Sequence, residues 1–430
     1  MKEPILFRRN DCLSHEQALY WKDLLYRTIK IGTEIEVAVP KGMPRPAFEA
    51  SVRETLQPSG SFERLGPYGV LDVITEHAGI EVRVIGRQPY FSALQRQYTS
   101  ILRVLSEQGG RPRATCGLHF HTLTPGLAEP GPEIILANTW NLVRRYAPEL
   151  RFLTSGGDSL AALCRRRNYT SHLEMVRLSP VPYCMSEIQS ELKASHTVPE
   201  HNNFLNLEHV RFNAAGNVSV FHLEFRFPDA DLSPTSITAK TFLFLALLLK
   251  AVELSQYGVI HVGRIAEWRR KCQLLDWLSN NDGPLATSDT HNITPEIIEE
   301  LRTGTRELLE LLKPIFDRWE HNPSFEVLAL LAETPISLLR SSGRGWGEIE
   351  ALLAARASAD ETGLDQADQR LMRAIELAEL TGCSAKQVWQ WQIARELFLT
   401  PTELERRLEQ LDRLRGLRWD ERIGTMVFRL

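Results

Sequence analysis

Four segments of the chain alternate apolar and ionisable residues with a period of two, which is the pattern of a strand with one buried face. They are "IGTEIEVAV", "GIEVRVI", "GLHFHT" and "VFHLEFRFPDAD". In the last segment, Phe225 and Phe227 fall on one face, and Glu224 and Arg226 fall on the other. The pattern predicts four strands whose apolar faces pack against a common core.

Other segments have helical periodicity. "PYFSALQRQYTSILRVLSEQG" and "PEIILANTWNLVRRYAPELRFLTSG" predict helices, and "SPTSITAKTFLFLALLLKAVEL" is apolar on most sides, so we expect a buried helix capped by Ser233. From Thr294 onward the pattern is helical, after a segment with the composition of a linker. We therefore predict an α+β fold, an antiparallel sheet with helices on one face, and two domains, a catalytic domain 1–285 and an α-helical C-terminal region 291–430.

Composition excludes several classes of protein. The formal net charge of the 430 residues is −4, so no global basic field favours a nucleic acid or a membrane as partner. The six cysteines form no CxxC pair, which argues against a zinc ribbon or a disulfide scaffold. The N-terminal stretch has no apolar run typical of a secretion signal, so we expect a cytoplasmic protein.

The polar faces of the four strands are unusual because their paired positions carry Glu, His and Arg, without Lys or Gln. One interpretation is a solvated outer face of an ordinary half-buried sheet. The other is a divalent metal site, because carboxylates this close repel one another unless cations intervene. If the strands share one sheet, that face holds Glu34, Glu36, Glu81, His119 and Glu224. Mostly oxygen ligands favour Mg²⁺, and the histidine makes Mn²⁺ an alternative.

Three of these strands resemble the signature strands of glutamine synthetase-like carboxylate–amine ligases, and the amidoligase family fits best. The resemblance rests on "GTEIE", "GLHFH" and "HLEFRFPD" in this order, followed by a long apolar helix, and on "AGIEV". It covers residues 28–260. It implies the glutamine synthetase-like catalytic fold and an ATP-dependent ligase that joins an acid to an amine through an acyl phosphate.

The resemblance also implies roles for individual residues. Glu34, His119 and Glu224 would hold the metal nearest the nucleotide phosphates, and Glu36 and Glu81 would hold a second metal on the acceptor side. His121 would approach the nucleotide, and Arg226 would contact the transferred phosphoryl group. Arg166, in the polar segment "CRRRNYTSH", would either close over the phosphates or bind the substrate carboxylate, or it would belong to a solvated charge cluster.

The chain departs from the family at "RPRATCG", which stands where glutamine synthetases have an asparagine-rich approach to the histidine strand. We therefore expect a larger amine than ammonia, and small-molecule or peptide substrates. Three alternatives stay open: a phosphotransferase for guanidino or carboxyl groups, a metal-dependent amide hydrolase, and a non-enzymatic scaffold. The helical region 294–430 would offer a surface for a homo-oligomer or a protein partner.

Overall fold

The computed structural model describes residues 5–9, 13–18, 21, 30–57, 69–76, 79–86, 91–113, 116–123, 132–156, 205–212, 218–256, 259–264, 294–318, 322–358, 417–420 and 425–428. The strands are β1 (Ile5–Arg9), β2 (Lys30–Val37), β3 (Val70–Thr75), β4 (Ile80–Gly86), β5 (Leu118–Leu123), β6 (Leu205–Phe212), β7 (Val218–Phe225), β8 (Val259–Arg264), β9 (Leu417–Asp420) and β10 (Thr425–Phe428). The helices are α1 (Arg45–Leu56), α2 (Phe91–Glu107), α3 (Pro132–Arg145), α4 (Ala147–Leu153), α5 (Pro234–Gln256), α6 (Pro295–Arg318), α7 (Asn322–Glu333), α8 (Ile336–Ser341) and α9 (Trp346–Ser358).

Six strands form one sheet in the order β3-β4-β2-β5-β7-β6, and every neighbouring pair is antiparallel. The four strands with alternating ionisable residues are β4, β2, β5 and β7, so they lie side by side in the middle of the sheet. Two smaller antiparallel pairs, β1 with β8 and β9 with β10, lie outside this sheet. The predicted α+β class with an antiparallel sheet is confirmed, but the C-terminal region predicted to be α-helical also contains the strand pair β9–β10.

Helix α5 packs against the apolar face of the sheet. Its Phe244 ring lies 4.4 Å from the ring of Phe225 on β7 and 4.8 Å from that of Phe120 on β5, measured between centroids. Helices α2, α3, α6, α7 and α9 all contact α5. Because these aromatic positions alternate with the ionisable ones along the strands, the ionisable side chains project from the opposite face.

The start of α5 agrees with the sequence. Ser233 accepts a hydrogen bond at Oγ from the backbone N–H of Ser236 at 3.1 Å, so it caps the helix as predicted. Buried threonines along the helix satisfy their hydroxyl groups locally, since Thr238 and Thr241 each donate to the carbonyl four residues earlier. Such local hydrogen bonds allow an almost wholly buried helix to carry threonines, because the buried hydroxyl groups keep a partner.

The chain divides into two compact units, Met1–Asp360 and Glu361–Leu430. The sequence predicted a division between residues 285 and 291 because of the linker composition there. Helix α6, which begins at Pro295 inside the predicted C-terminal region, packs against α4 and α5, and the predicted division into a catalytic and a C-terminal domain stays a prediction. The first part of the predicted C-terminal region therefore belongs to the unit that contains the sheet. Among the described helices, none is both long enough and apolar enough to cross a membrane.

Candidate active site

The register of β2 with its two neighbours decides which polar side chains meet. Glu34 lies opposite Arg83 of β4 on one side and opposite His119 of β5 on the other. Glu36 lies opposite Glu81 of β4. Directly opposed residues of an antiparallel pair are close enough for their side chains to touch. The two glutamates of β2 therefore have a glutamate, an arginine and a histidine directly opposite them on the adjacent strands.

The pairing of β5 with β7 adds further ionisable side chains beside these, which together form an acidic row across the four strands. His121 lies opposite Glu224, and on its other side it lies opposite Gly32 of β2. A Cβ atom at Gly32 would lie only 3.1 Å from the Cβ atom of His121. The glycine of "GTEIE" therefore leaves room for the imidazole of His121 on the ionisable face.

A first group of ligand atoms comes from Glu34, His119 and Glu224, and these atoms lie within 4.8 Å of one another. Nδ1 of His119 is 3.0 Å from Oε2 of Glu34 and 3.3 Å from Oε1 of Glu224. Nε2 of His121 is 3.2 Å from the same oxygen of Glu34. Two carboxylates and two imidazoles thus converge on a small volume beside β5.

A second group of ligand atoms shares His119 and adds Glu36 and Glu81, again within 4.8 Å. Nε2 of His119 is 3.6 Å from Oε1 of Glu36. The other oxygen of Glu36 accepts a hydrogen bond from the backbone N–H of Gly117 at 2.5 Å. The two nitrogens of one imidazole therefore face two different acidic groups.

An arginine stands at each end of the acidic row. Nη1 of Arg226 donates to Oε1 of Glu224. At the other end, Nε of Arg83 donates to Oε1 of Glu81 at 2.7 Å and lies 3.5 Å from Oε1 of Glu34. Each guanidinium neutralises part of the charge of the carboxylates beside it.

Burial and neighbouring charges shift the acidities of the site in opposite directions. Burial raises the pKa of Glu81 to about 8, helped by the negative charge of Glu34 and opposed by Arg83. Burial would also raise the pKa of Glu34, but hydrogen bonds from His119 and His121 outweigh it and lower that pKa below its ordinary value. One carboxyl group of the site is thus protonated near neutral pH while another stays ionised.

The residues present fit divalent cations. Glu81 and His119 are 3% and 2% exposed, and Glu224 is fully buried, so water screens these charges poorly. Even with Glu81 protonated, the carboxylates of Glu34, Glu36 and Glu224 face two guanidiniums, which leaves formal negative charge that a cation would neutralise. Carboxylate oxygens with imidazole nitrogens are a donor set that suits Mg²⁺ or Mn²⁺.

Comparisons with known proteins do not identify the function of this chain. No family model and no curated protein matches the chain. Among solved structures, the chain is similar to the crystal structure of the complex between the prokaryotic ubiquitin-like protein Pup and its ligase PafA. The identity is 14% and the TM-score is 0.36, over 93% of this chain and 86% of that chain. At that TM-score the similarity supports no conclusion about the function of this chain.

The structure brings together all but one of the site residues that the sequence predicted. The residues that share the ionisable face are Glu34, Glu36, Glu81, His119, His121, Glu224 and Arg226. Arg166 lies outside the described residues. The metal and phosphate roles of these side chains stay predictions.

One residue of this face received no role from the sequence. Arg83 alternates with apolar residues in "GIEVRVI" and so was expected on the same face as Glu81. Its proximity to Glu34 depends on the pairing of β4 with β2, which the sequence of either strand alone does not reveal.

A buried ion pair holds the turn that follows Arg226. Nη2 of Arg151, which is fully buried on α4, is 2.9 Å from Oδ1 of Asp229. The other oxygen of Asp229 accepts a hydrogen bond from the backbone N–H of Gly156 at 3.0 Å, and Nη1 of Arg151 donates to the carbonyl of Phe227 at 3.3 Å. The "FRFPD" turn is therefore fixed to the helical layer.

Proposed function

We propose that this chain is an ATP-dependent carboxylate–amine ligase that forms an amide or peptide-type bond through an acyl phosphate. The observation that supports the proposal most is the pair of ligand groups that share His119 on one sheet face, with an arginine at each end. Such an arrangement suits a reaction in which two anions must be neutralised and held together. The substrates we propose are a small-molecule or peptide acid and an amine larger than ammonia.

The chemistry explains why so much charge is needed. A carboxylate is a poor electrophile, so its oxygen first takes the terminal phosphoryl group of ATP and releases ADP. The amine then attacks the carbonyl carbon and gives up a proton to a base, and phosphate leaves with one oxygen of the original carboxylate. Bound divalent metal would neutralise the phosphate oxygens during the first transfer.

In this proposal the side chains near β7 bind the nucleotide and its phosphates, and those near β4 lie on the acceptor side. Arg226 binds the transferred phosphoryl group, because a planar guanidinium can hold two phosphate oxygens at once. His121 approaches the nucleotide. Glu34, His119 and Glu224 would hold one metal, and Glu36 and Glu81 would hold the other on the acceptor side. The glutamates and histidines lie on paired strands, and Arg226 follows β7 directly, so the site is organised before substrates bind.

Metal binding tests the first half of the proposal. We expect the Glu224→Gln variant to bind Mn²⁺ at least about tenfold more weakly than wild type, because it loses a ligand charge with little change in shape. The free Mn²⁺ signal in electron paramagnetic resonance measures the affinity, and calorimetry with a non-hydrolysable ATP analogue and Mg²⁺ measures nucleotide binding.

Glu253→Gln is the matched control, because Glu253 on α5 is also ion-paired, with Lys250 at 3.0 Å, but lies on a helix and not on the sheet face. Equal Mn²⁺ and nucleotide affinities in wild type and Glu224→Gln would contradict the metal assignment.

Isotope transfer tests the second half. With Mg-ATP, a panel of carboxylic acids labelled with oxygen-18 and a panel of amines, we expect ADP and phosphate in equal amounts, with one label in the phosphate. Label in AMP would rule out the acyl phosphate. A stable phosphorylated product without any need for an amine would favour the phosphotransferase, and turnover without ATP would favour the hydrolase.

A further inference from the structure

Arg83 uses only part of its hydrogen-bonding capacity within the site. Its Nε atom contacts the carboxylates of Glu81 and Glu34, at 2.7 and 3.5 Å. Within the described residues, no group accepts a hydrogen bond from Nη1 or Nη2, and the side chain is 43% exposed. Asp72, opposite Arg83 on β3, has its carboxylate 3.2 Å from Arg53. The outer edge of the Arg83 guanidinium is therefore exposed to solvent.

The inner contact of Arg83 competes with metal. Glu81 belongs to the second ligand group, and its Oε1 atom is the one that accepts from Arg83. A divalent cation bound to the Glu81 oxygens would repel the cationic guanidinium beside them and compete with it for Oε1. Filling the metal site would therefore release Arg83 for another anion.

The position of Arg83 favours a different anion from the one at Arg226. Strands β4 and β7 are separated by β2 and β5, which corresponds to three strand spacings, or about 14 Å between strand axes. In the proposed ligase, the β7 end takes the phosphoryl group. The β4 end already holds a carboxylate, that of Glu81, in good hydrogen-bonding geometry with the guanidinium.

We propose that Arg83 binds a carboxylate of the acid substrate, in exchange for its contact with Glu81, when metal occupies the second ligand group. This inference rests on the proposed function. The carboxylate is either the one that reacts or a second, non-reacting one. In both cases the planar guanidinium matches the two oxygens of the ligand, since its Nη1 and Nη2 atoms donate to no group in the described part of the chain.

Two affinities that move in opposite directions test the exchange. In the Arg83→Gln variant we expect binding of Mn²⁺ to be as strong as in wild type or stronger, because the guanidinium no longer competes for Glu81. Binding of glutarate in the presence of Mg²⁺ and a non-hydrolysable ATP analogue should weaken at least about tenfold, the scale of a lost charge-assisted hydrogen bond. Arg83→Lys should recover glutarate binding only in part. Saturation-transfer nuclear magnetic resonance measures the carboxylate, and electron paramagnetic resonance measures Mn²⁺.

Pentanoate distinguishes the two sources of the carboxylate, because it has the carbon count of glutarate and only one carboxylate. If it binds and is also weakened by Arg83→Gln, Arg83 holds the reacting group. If only glutarate binds in wild type, Arg83 holds a second one. The control is Arg53→Gln, because Arg53 is also 43% exposed and also pairs with two carboxylates, but at the β3 edge.

Failure of this inference can be told apart from failure of the proposed function. If wild type binds Mn²⁺ and nucleotide but binds no carboxylate, or binds glutarate equally well without Arg83, the assignment of Arg83 is wrong and the ligase stands. A loss of Mn²⁺ affinity in Arg83→Gln also overturns the exchange, because it indicates a structural role. If wild type binds neither Mn²⁺ nor nucleotide, both proposals fall.

Discussion

Replacing Glu81 with glutamine removes a titrating carboxyl group that keeps its proton to higher pH in the folded protein than in the unfolded chain. In the fold, burial and the charge of Glu34 raise the pKa of Glu81 to about 8, from the 4.5 of an unperturbed glutamate. Between these two values the native state binds more protons than the unfolded state, so the free energy of unfolding falls as pH rises. Glu34 acts elsewhere on the pH scale, because its pKa is lowered and its contribution is lost only in acid.

The magnitude follows from the two pKa values. From pH 6 to pH 8 the native carboxyl goes from fully to half protonated, while the unfolded one is ionised throughout. The linkage relation then gives a loss of about 2 kcal/mol over this interval from Glu81 alone. Its side chain is 4% exposed, so solvent screening reduces this contribution little.

Chemical denaturation at both pH values, in buffer with a chelator, measures this contribution. Wild type should lose about 2 kcal/mol more than Glu81→Gln between pH 6 and pH 8, since all other titrating groups are common to both proteins. Adding Mg²⁺ should stabilise wild type more at pH 8 than at pH 6, because metal and proton compete for the same carboxylate. The same pH dependence in wild type and variant would refute the reasoning.

Two further predictions concern the packing beneath the site. Phe244→Ala removes the ring between Phe120 and Phe225 and should lower the free energy of unfolding by about 3–5 kcal/mol in a denaturation experiment, so a loss below about 1 kcal/mol would mean that the sheet and α5 repack freely. Glu350→Gln should cost about 1–2 kcal/mol, because the carboxylate accepts a hydrogen bond from Oγ1 of Thr235 at 2.6 Å and lies at the positive end of α5, and an unchanged midpoint would contradict that capping role.

Much of the fold was predictable because its signals are local. Alternation with a period of two requires only a few consecutive residues, so "GTEIE" and "GLHFH" indicated both a strand and the face on which their acids and imidazoles project. The buried helix α5 and its cap at Ser233 are equally local, since they depend on residues 233–256. The sequence by itself therefore determined which side chains are candidates.

The tertiary structure decided which candidates meet. The strand order β3-β4-β2-β5-β7-β6 does not follow the chain, and the alternation within a strand is the same whichever neighbour it has. Only the pairing of β4 with β2 brings Arg83 to Glu34 and places Glu81 where burial, helped by the charge of Glu34, raises its pKa.

Distance along the chain explains what the sequence could not reveal. The division near residue 285 was inferred from linker composition, whereas helix α6 packs on α4 and on α5, both of which precede that linker in the chain. Glu350 caps a helix whose first residues are 115 positions away. Contacts between distant segments depend on how the faces of whole elements fit together, and the residue pattern within one segment carries no information about this fit. The sequence by itself therefore determined which face of each element is apolar or ionisable, and the tertiary structure determined which faces contact one another.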